Sequence, residues 1–161
     1  FVVTPRNPLK SEYVLLDDAF RLEMTRAAVG DYPRFRVSDV EFGLPRPSYT
    51  IHTLRTLREA HTDSRFSLII GADSWADMGR WRDAEALRRE FSLIVYPRPG
   101  YPAPEIADET ADVRAVAAPM MDVSSTFIRE AIRAGHDVRF FLPEGVRRYV
   151  PEIARRLAAM R

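Results

Sequence analysis

The sequence predicts an α/β fold in which a parallel sheet is covered on both faces by helices. Continuously apolar runs such as Phe66-Ser-Leu-Ile-Ile70 and Phe91-Ser-Leu-Ile-Val-Tyr96 have the length and content of buried strands, and amphipathic stretches at helical spacing lie around them. Both runs stop abruptly, the first at Gly71 and the second at Pro97-Arg-Pro-Gly100, as strands that feed loops do. With 161 residues and 46% hydrophobic content the chain can bury one core, so a single domain over 1–161 is expected, with 136–161 as its helical carboxyl-terminal part.

Taken in order, Phe1 to Thr4 reads as the end of a buried strand followed by the proline-rich turn Pro5-Arg-Asn-Pro-Leu-Lys10. From Leu15 to Val29, Leu16, Phe20, Met24 and Ala27 or Ala28 recur at helical spacing, and Gly30 suits the position that closes a helix. Phe35, Val37 and Val40 suggest a short strand. Ser48 is the expected cap of a helix with Ile51, Leu54 and Leu57 on one face. After the Phe66 strand a polar helix over Asp83 to Glu90 leads into the Phe91 strand, and Tyr101 to Asp112 is an acidic, proline-containing loop. Val113 to Ala117 completes the strands. Ser124 to Ala134 is a helix closed by Gly135, and helices near Glu144 to Tyr149 and Glu152 to Met160 finish the chain.

Composition narrows the function classes. Lys plus Arg number 24 and Asp plus Glu 23, a net charge of +1, which provides no large field for nucleic acid and favours small-molecule partners. There is no cysteine, and His52, His61 and His136 have no metal-ligand spacing, so thiolate and structural zinc sites are excluded. No apolar run approaches the roughly 18 residues of a membrane span, and a cytoplasmic protein without membrane partners is expected; a homo-oligomer is compatible with the chain. Lys10 is the sole lysine, which a bias toward arginine codons would explain.

Three places could carry chemistry. Ligands of open α/β sheets bind beyond the carboxyl ends of strands. Asp73 stands there after the Phe66 strand, with Trp81 eight residues later; Asp73 could equally start a helix, and a loop tryptophan could equally lid the core. Arg98, between two prolines, is rigidly presented, although a solvated arginine would satisfy the sequence as well. In Met121-Asp-Val-Ser-Ser-Thr-Phe-Ile-Arg-Glu130, a helix begun by Ser124 sets Phe127, Ile128, Ala131 and Ile132 on one face and Ser125, Thr126, Arg129 and Arg133 on the other. Hydroxyls and guanidiniums beside free backbone N–H groups suit phosphate, and an ordinary capped helix with solvated arginines is the other reading. The helix opened by Pro47-Ser-Tyr-Thr50 could hold a carboxylate or phosphate in the same way. The phosphate loop of P-loop proteins, Gly-x-Gly-x-x-Gly and the Gly-x-Ser-x-Gly elbow are all absent from the sequence.

The ordered set Pro5-Arg-Asn-Pro-Leu-Lys10, Arg46-Pro-Ser-Tyr-Thr-Ile-His-Thr-Leu54, Ile70-Gly-Ala-Asp73, Trp81, Arg98-Pro-Gly100, Val123-Ser-Ser-Thr-Phe-Ile-Arg129 and Phe141-Leu-Pro143 resembles bacterial nicotinate-nucleotide adenylyltransferases, over Phe1 to about Tyr149. The resemblance implies a Rossmann-like nucleotidyltransferase fold. It also implies transfer of an adenylyl group from ATP, with Mg²⁺, to nicotinate mononucleotide, giving nicotinic acid adenine dinucleotide and pyrophosphate in NAD biosynthesis. By this resemblance Trp81 stacks on the nicotinate ring, and Thr50 lies near its carboxylate with the backbone at Arg82 completing that contact. Asp73 lies near the ribose and phosphate, Lys10 and Arg98 serve the phosphate side, and Gly71, Ser124, Ser125, Thr126 and Arg129 serve ATP. A related enzyme using nicotinamide mononucleotide or another phosphate acceptor, or a noncatalytic nucleotide-binding module, is the alternative.

The sequence departs from the family at one place. The motif Gly-x-Phe-Asp-Pro-x-His-x-Gly-His has no counterpart, so no histidine can be assigned the catalytic role it has there, and Lys10 and Arg129 remain as supporting groups. The expectation is that an amino-terminal segment is missing and that the 161 residues alone release little pyrophosphate; a naturally shortened homologue is the other reading.

Overall fold

The computed structural model describes residues 1–5, 16–102 and 112–159, so Lys10, Leu15, Met160 and most of the Tyr101–Asp112 loop lie outside the described residues. The described residues form two compact units, Phe1–Ser48 with Val123–Arg161, and Tyr49–Asp122.

The Tyr49–Asp122 unit holds the sheet. Helix α2 (Thr50–Ala60; α1 belongs to the other unit) precedes strand β1 (Ser67–Gly71), the short helix α3 (Ala72–Ala76), α4 (Ala84–Glu90), β2 (Ser92–Tyr96) and β3 (Val113–Ala115). The three strands are parallel in the order β1-β2-β3, with Ser67 facing Ser92 and Gly71 facing Tyr96. Leu93 and Val95 of the central strand are fully buried among Ile51 and Leu54 of α2, Ile70, Met78, Leu87 and Phe91. The expected burial of both faces fails at β1: among the described residues it is an edge strand, and Ile69 is 65% exposed. The last strand stops at Ala115 rather than Ala117.

Glu90 ties α4 to α2 by accepting from Arg55 and Arg58, the Arg58 contact being 3.0 Å. The Arg55 hydrogen bond, helped by Arg58, holds the Glu90 carboxyl down at about 2. In the other unit Arg155 and Arg156 hold Glu152 at about 2 in the same way. An unfolded glutamate titrates near 4.3, so these contacts stabilise the ionised, folded form above about pH 5 and are lost as pH falls from there toward 2. Thermal stability is therefore expected to drop through that window, and Glu90→Gln is expected to flatten the slope in a series of melts; an unchanged slope would assign the acid sensitivity elsewhere.

In the unit of Phe1–Ser48 and Val123–Arg161, α1 (Asp18–Val29) starts later than the apolar spacing suggests because the Asp17 carboxylate accepts the Phe20 N–H at 3.0 Å and so sets the cap. Gly30, at φ +54°, closes it as expected. Among the described residues the two expected strands of this part are reduced to one parallel bridge, Val2 to Ser38, with Phe1 and Val2 exposed and Val3 buried. Val40 falls in a 3-10 turn, Val40–Gly43, not in a strand. The remaining helices are α5 (Ser125–Arg133), α6 (Glu144–Arg147) and α7 (Val150–Ala159). Phe20 of α1, Ala131 and Ile132 of α5, Val138, and Ile153 and Leu157 of α7 make their core.

Candidate active site

Each unit carries part of the expected site. In the Tyr49–Asp122 unit, β1 ends at Gly71 and the chain turns at once into α3, which places Asp73 in that helix's first turn rather than at its cap. β2 ends at Tyr96, directly opposite Gly71, and Arg98 follows two residues later. The pairing thus brings two distant segments together: Arg98 Nε lies 4.0 Å from Asp73 Oδ1, both side chains being partly exposed. An ion pair this long and this wet contributes little to stability, so the guanidinium is held loosely and can exchange to an anionic ligand. Its backbone is held more firmly, since Arg98 N–H donates to the Tyr101 carbonyl at 2.9 Å and Tyr101 N–H returns the bond at 2.8 Å. Gly100 at φ +79° after Pro99 makes this a type II turn. Sequence reasoning missed Tyr101, although the Pro-Gly pair before it was the signal.

Trp81 follows a 3-10 turn, its N–H donating to the Met78 carbonyl at 2.9 Å, and is half-buried against the core of this unit. Part of the indole is therefore packed and part remains exposed. The next residue, Arg82, sets its guanidinium 5.9 Å from the centre of the Tyr49 ring. Tyr49 adjoins Thr50, the first residue of α2, so the Trp81–Arg82 segment approaches the amino-terminal end of that helix. The expected cap by Ser48 is not made. Tyr49 occupies the cap position, which leaves Ser48 one residue too far upstream, and its Oγ is buried without a partner. Among the described residues no side chain caps α2; the His52 and Thr53 amides donate to the Tyr49 carbonyl at 3.0 and 3.2 Å, which leaves those of Thr50 and Ile51 outside the helix's own hydrogen bonds.

In the other unit, α5 is capped as expected: Ser124 Oγ accepts the Phe127 N–H at 3.1 Å. Arg129 reaches back along the helix and donates to Thr126 Oγ1 at 3.1 Å. Among the described residues no carboxylate pairs with Arg129. Ser125 and Arg129 also line a cavity of about 530 Å³ whose wall is otherwise mainly apolar, with Val3, Met24, Ile128 and Ile132. The two faces of α5 divide as the spacing predicts, with one correction. Phe127 is 45% exposed and meets the Phe141 ring edge to face at 5.2 Å instead of entering the core, because it sits at the margin of the apolar stripe.

Comparison with known proteins places the chain in a family. Residues 1–131 match the family model described as cytidylyltransferase-like. A protein of Bacteroides fragilis named "Probable nicotinate-nucleotide adenylyltransferase" is 46% identical over 146 residues, covering 91% of this chain and 72% of that protein. One of the same name from Bacteroides thetaiotaomicron is 47% identical over 156 residues, covering 96% and 76%. The chain belongs to the nicotinate-nucleotide adenylyltransferase family. The fold agrees with that membership: a Plasmodium falciparum nicotinic acid mononucleotide adenylyltransferase, solved in complex with NaAD, superposes with a TM-score of 0.64 over 94% of this chain and 78% of its own, at 16% identity. The three-stranded parallel sheet with flanking helices is thus the nucleotidyltransferase fold that the family implies. No helix among the described residues is long and apolar enough to cross a membrane.

Proposed function

We propose that the chain binds and aligns ATP and nicotinate mononucleotide for transfer of the adenylyl group from the first to the second. The phosphate oxygen of the mononucleotide attacks the α-phosphorus of ATP, the bond to the β-phosphate breaks, and pyrophosphate leaves with both electrons of that bond. Such chemistry needs alignment and charge compensation more than covalent help from the protein. Trp81 offers the exposed part of its indole to the nicotinate ring, while Thr50, the open amides of α2 and the backbone at Arg82 take the carboxylate. Asp73 takes the ribose, and Arg98 meets the mononucleotide phosphate. Gly71, Ser124, Ser125, Thr126 and Arg129 serve ATP, with Lys10 as a further cation for the phosphates. Mg²⁺ is counted with ATP as substrate, and its charge would offset that of the polyphosphate. A cytoplasmic location belongs to the same reading, since that is where ATP is available.

The observation that carries this reading is the meeting of Asp73 and Arg98 beyond the carboxyl ends of adjacent parallel strands, the place where open α/β sheets bind ligands. Calorimetry with nicotinate mononucleotide, its amide counterpart and ATP tests it. Binding of the acid and of ATP, with a weaker amide, is expected. Equal affinity for acid and amide would remove Thr50 and α2 from the carboxylate, and no affinity for either mononucleotide would end the proposal.

Arg129→Ala separates the ATP side from the mononucleotide side. Losing one charge-assisted contact is expected to weaken ATP binding by about 1.5 to 3 kcal/mol and to leave mononucleotide affinity in place. ATP binding indifferent to the change would return α5 to the role of an ordinary capped helix.

A further inference from the structure

Gly71 has no conformational reason to be glycine. Its backbone, at φ −74° and ψ 156°, is ordinary extended chain that any residue adopts. What the position lacks is room: a Cβ there would lie 2.3 Å from Asp73 Oδ1 and 2.9 Å from Arg98 Cγ. Both obstacles are side-chain atoms of the two groups that meet beyond the strand ends, and neither is backbone. The Arg98 stem lies across the end of β1 in the space a Cβ would fill, and from there its guanidinium reaches toward Asp73. The Arg98–Tyr101 turn fixes where that stem departs from the backbone.

We infer that Gly71 is a positioning residue: its missing side chain is what lets Arg98 lie over β1 against Asp73, so the direction of the Arg98 guanidinium is set at Gly71. The function of that placement rests on the reading of Arg98 as a phosphate contact. A guanidinium steered along the strand end and held only by a loose ion pair is pre-aimed at low entropic cost and easily surrendered to a mononucleotide phosphate. An alanine at 71 leaves the backbone undisturbed and pushes Arg98 and Asp73 aside.

A double-mutant cycle read by calorimetry with nicotinate mononucleotide tests the inference. Arg98→Ala is expected to weaken binding about tenfold to a hundredfold, the scale of a lost charge-assisted hydrogen bond. Gly71→Ala is expected to produce a comparable part of that loss with its melting temperature nearly preserved. The double variant is expected to lose clearly less than the product of the two single losses, because the part of the Gly71→Ala effect that runs through Arg98 is already gone and only the displaced Asp73 remains. Losses that multiply, or a Gly71→Ala protein that binds like the parent, would overturn the inference. A second readout uses no ligand: Asp73→Asn is expected to move the Arg98 Nε–H resonance in the parent and not in the Gly71→Ala background. If Arg98→Ala leaves mononucleotide binding intact, the phosphate reading fails, and the resonance alone decides the role of Gly71. A response to Asp73→Asn that persists in the Gly71→Ala protein overturns that role.

Discussion

Gly145→Ala is expected to lower the stability of the protein by about 3 kcal/mol, the upper range for forcing atoms into a filled contact. Gly145 lies in α6, where a Cβ would sit 2.0 Å from the Ala27 carbonyl oxygen and 2.9 Å from its carbon. These are backbone atoms near the end of α1, and they cannot swing away as a side chain can. The helices would have to separate, straining the neighbouring contacts in which Phe20 meets the Tyr149 ring at 5.7 Å and the Tyr149 hydroxyl donates to Glu23 at 2.8 Å. The sign is diagnostic, because in an uncrowded helix the same change stabilises by about 1 kcal/mol. A melt followed by circular dichroism should show a fall of about 6 to 12 °C for a chain of this size. An unchanged or higher melting temperature would mean that α6 does not approach α1 this closely.

Trp81→Ala is expected to weaken binding of nicotinate mononucleotide by about 1 to 3 kcal/mol, the usual loss for removing an aromatic stacking platform, with ATP affinity nearly unchanged. Trp81 is also packed against the core of its unit, so some stability should be lost with it. Trp81→Phe separates the two roles, since a phenyl ring retains an aromatic face while giving up part of the packed area. The expected order of mononucleotide affinity is tryptophan, phenylalanine, alanine, measured by calorimetry at a temperature where all three remain folded. Equal losses for both ligands would make Trp81 a packing residue alone.

Much of this site was legible because its residues mark their own surroundings. Ser124 announces the start of α5, and helical periodicity then assigns Ala131 and Ile132 to the core and Arg129 to the polar face, as the structure has them. Gly71 and Pro97 end apolar runs, which places Asp73 and Arg98 beyond strand ends without reference to any contact. The illegible parts depend on competition between neighbours. Ser48 is as good a cap by type as Ser124, yet Tyr49 takes the position and the Ser48 hydroxyl is left buried and unpaired. Phe35 and Val37 have the composition of a strand, but among the described residues one bridge at Ser38 is all the pairing that forms. Strand propensity describes how well a residue fits a pleated, half-buried surface, and that surface must be supplied by a partner.

By itself the sequence determined the class of fold, the order of most elements and the chemical types available at the site, because periodicity, capping and chain-stopping residues act over one or two turns of chain. Only the tertiary structure decided that β1 and β2 pair with Gly71 opposite Tyr96, and hence that Asp73 and Arg98 meet. It alone gave two glycines their meaning: Gly71 is read in the clearance of Arg98 and Gly145 in the approach of α1, although neither has a backbone angle that demands glycine. Local signals report what a residue does to its own backbone. Clearance is a property of what arrives from elsewhere in the chain, over loop closures whose outcome is set by the packing of the whole unit.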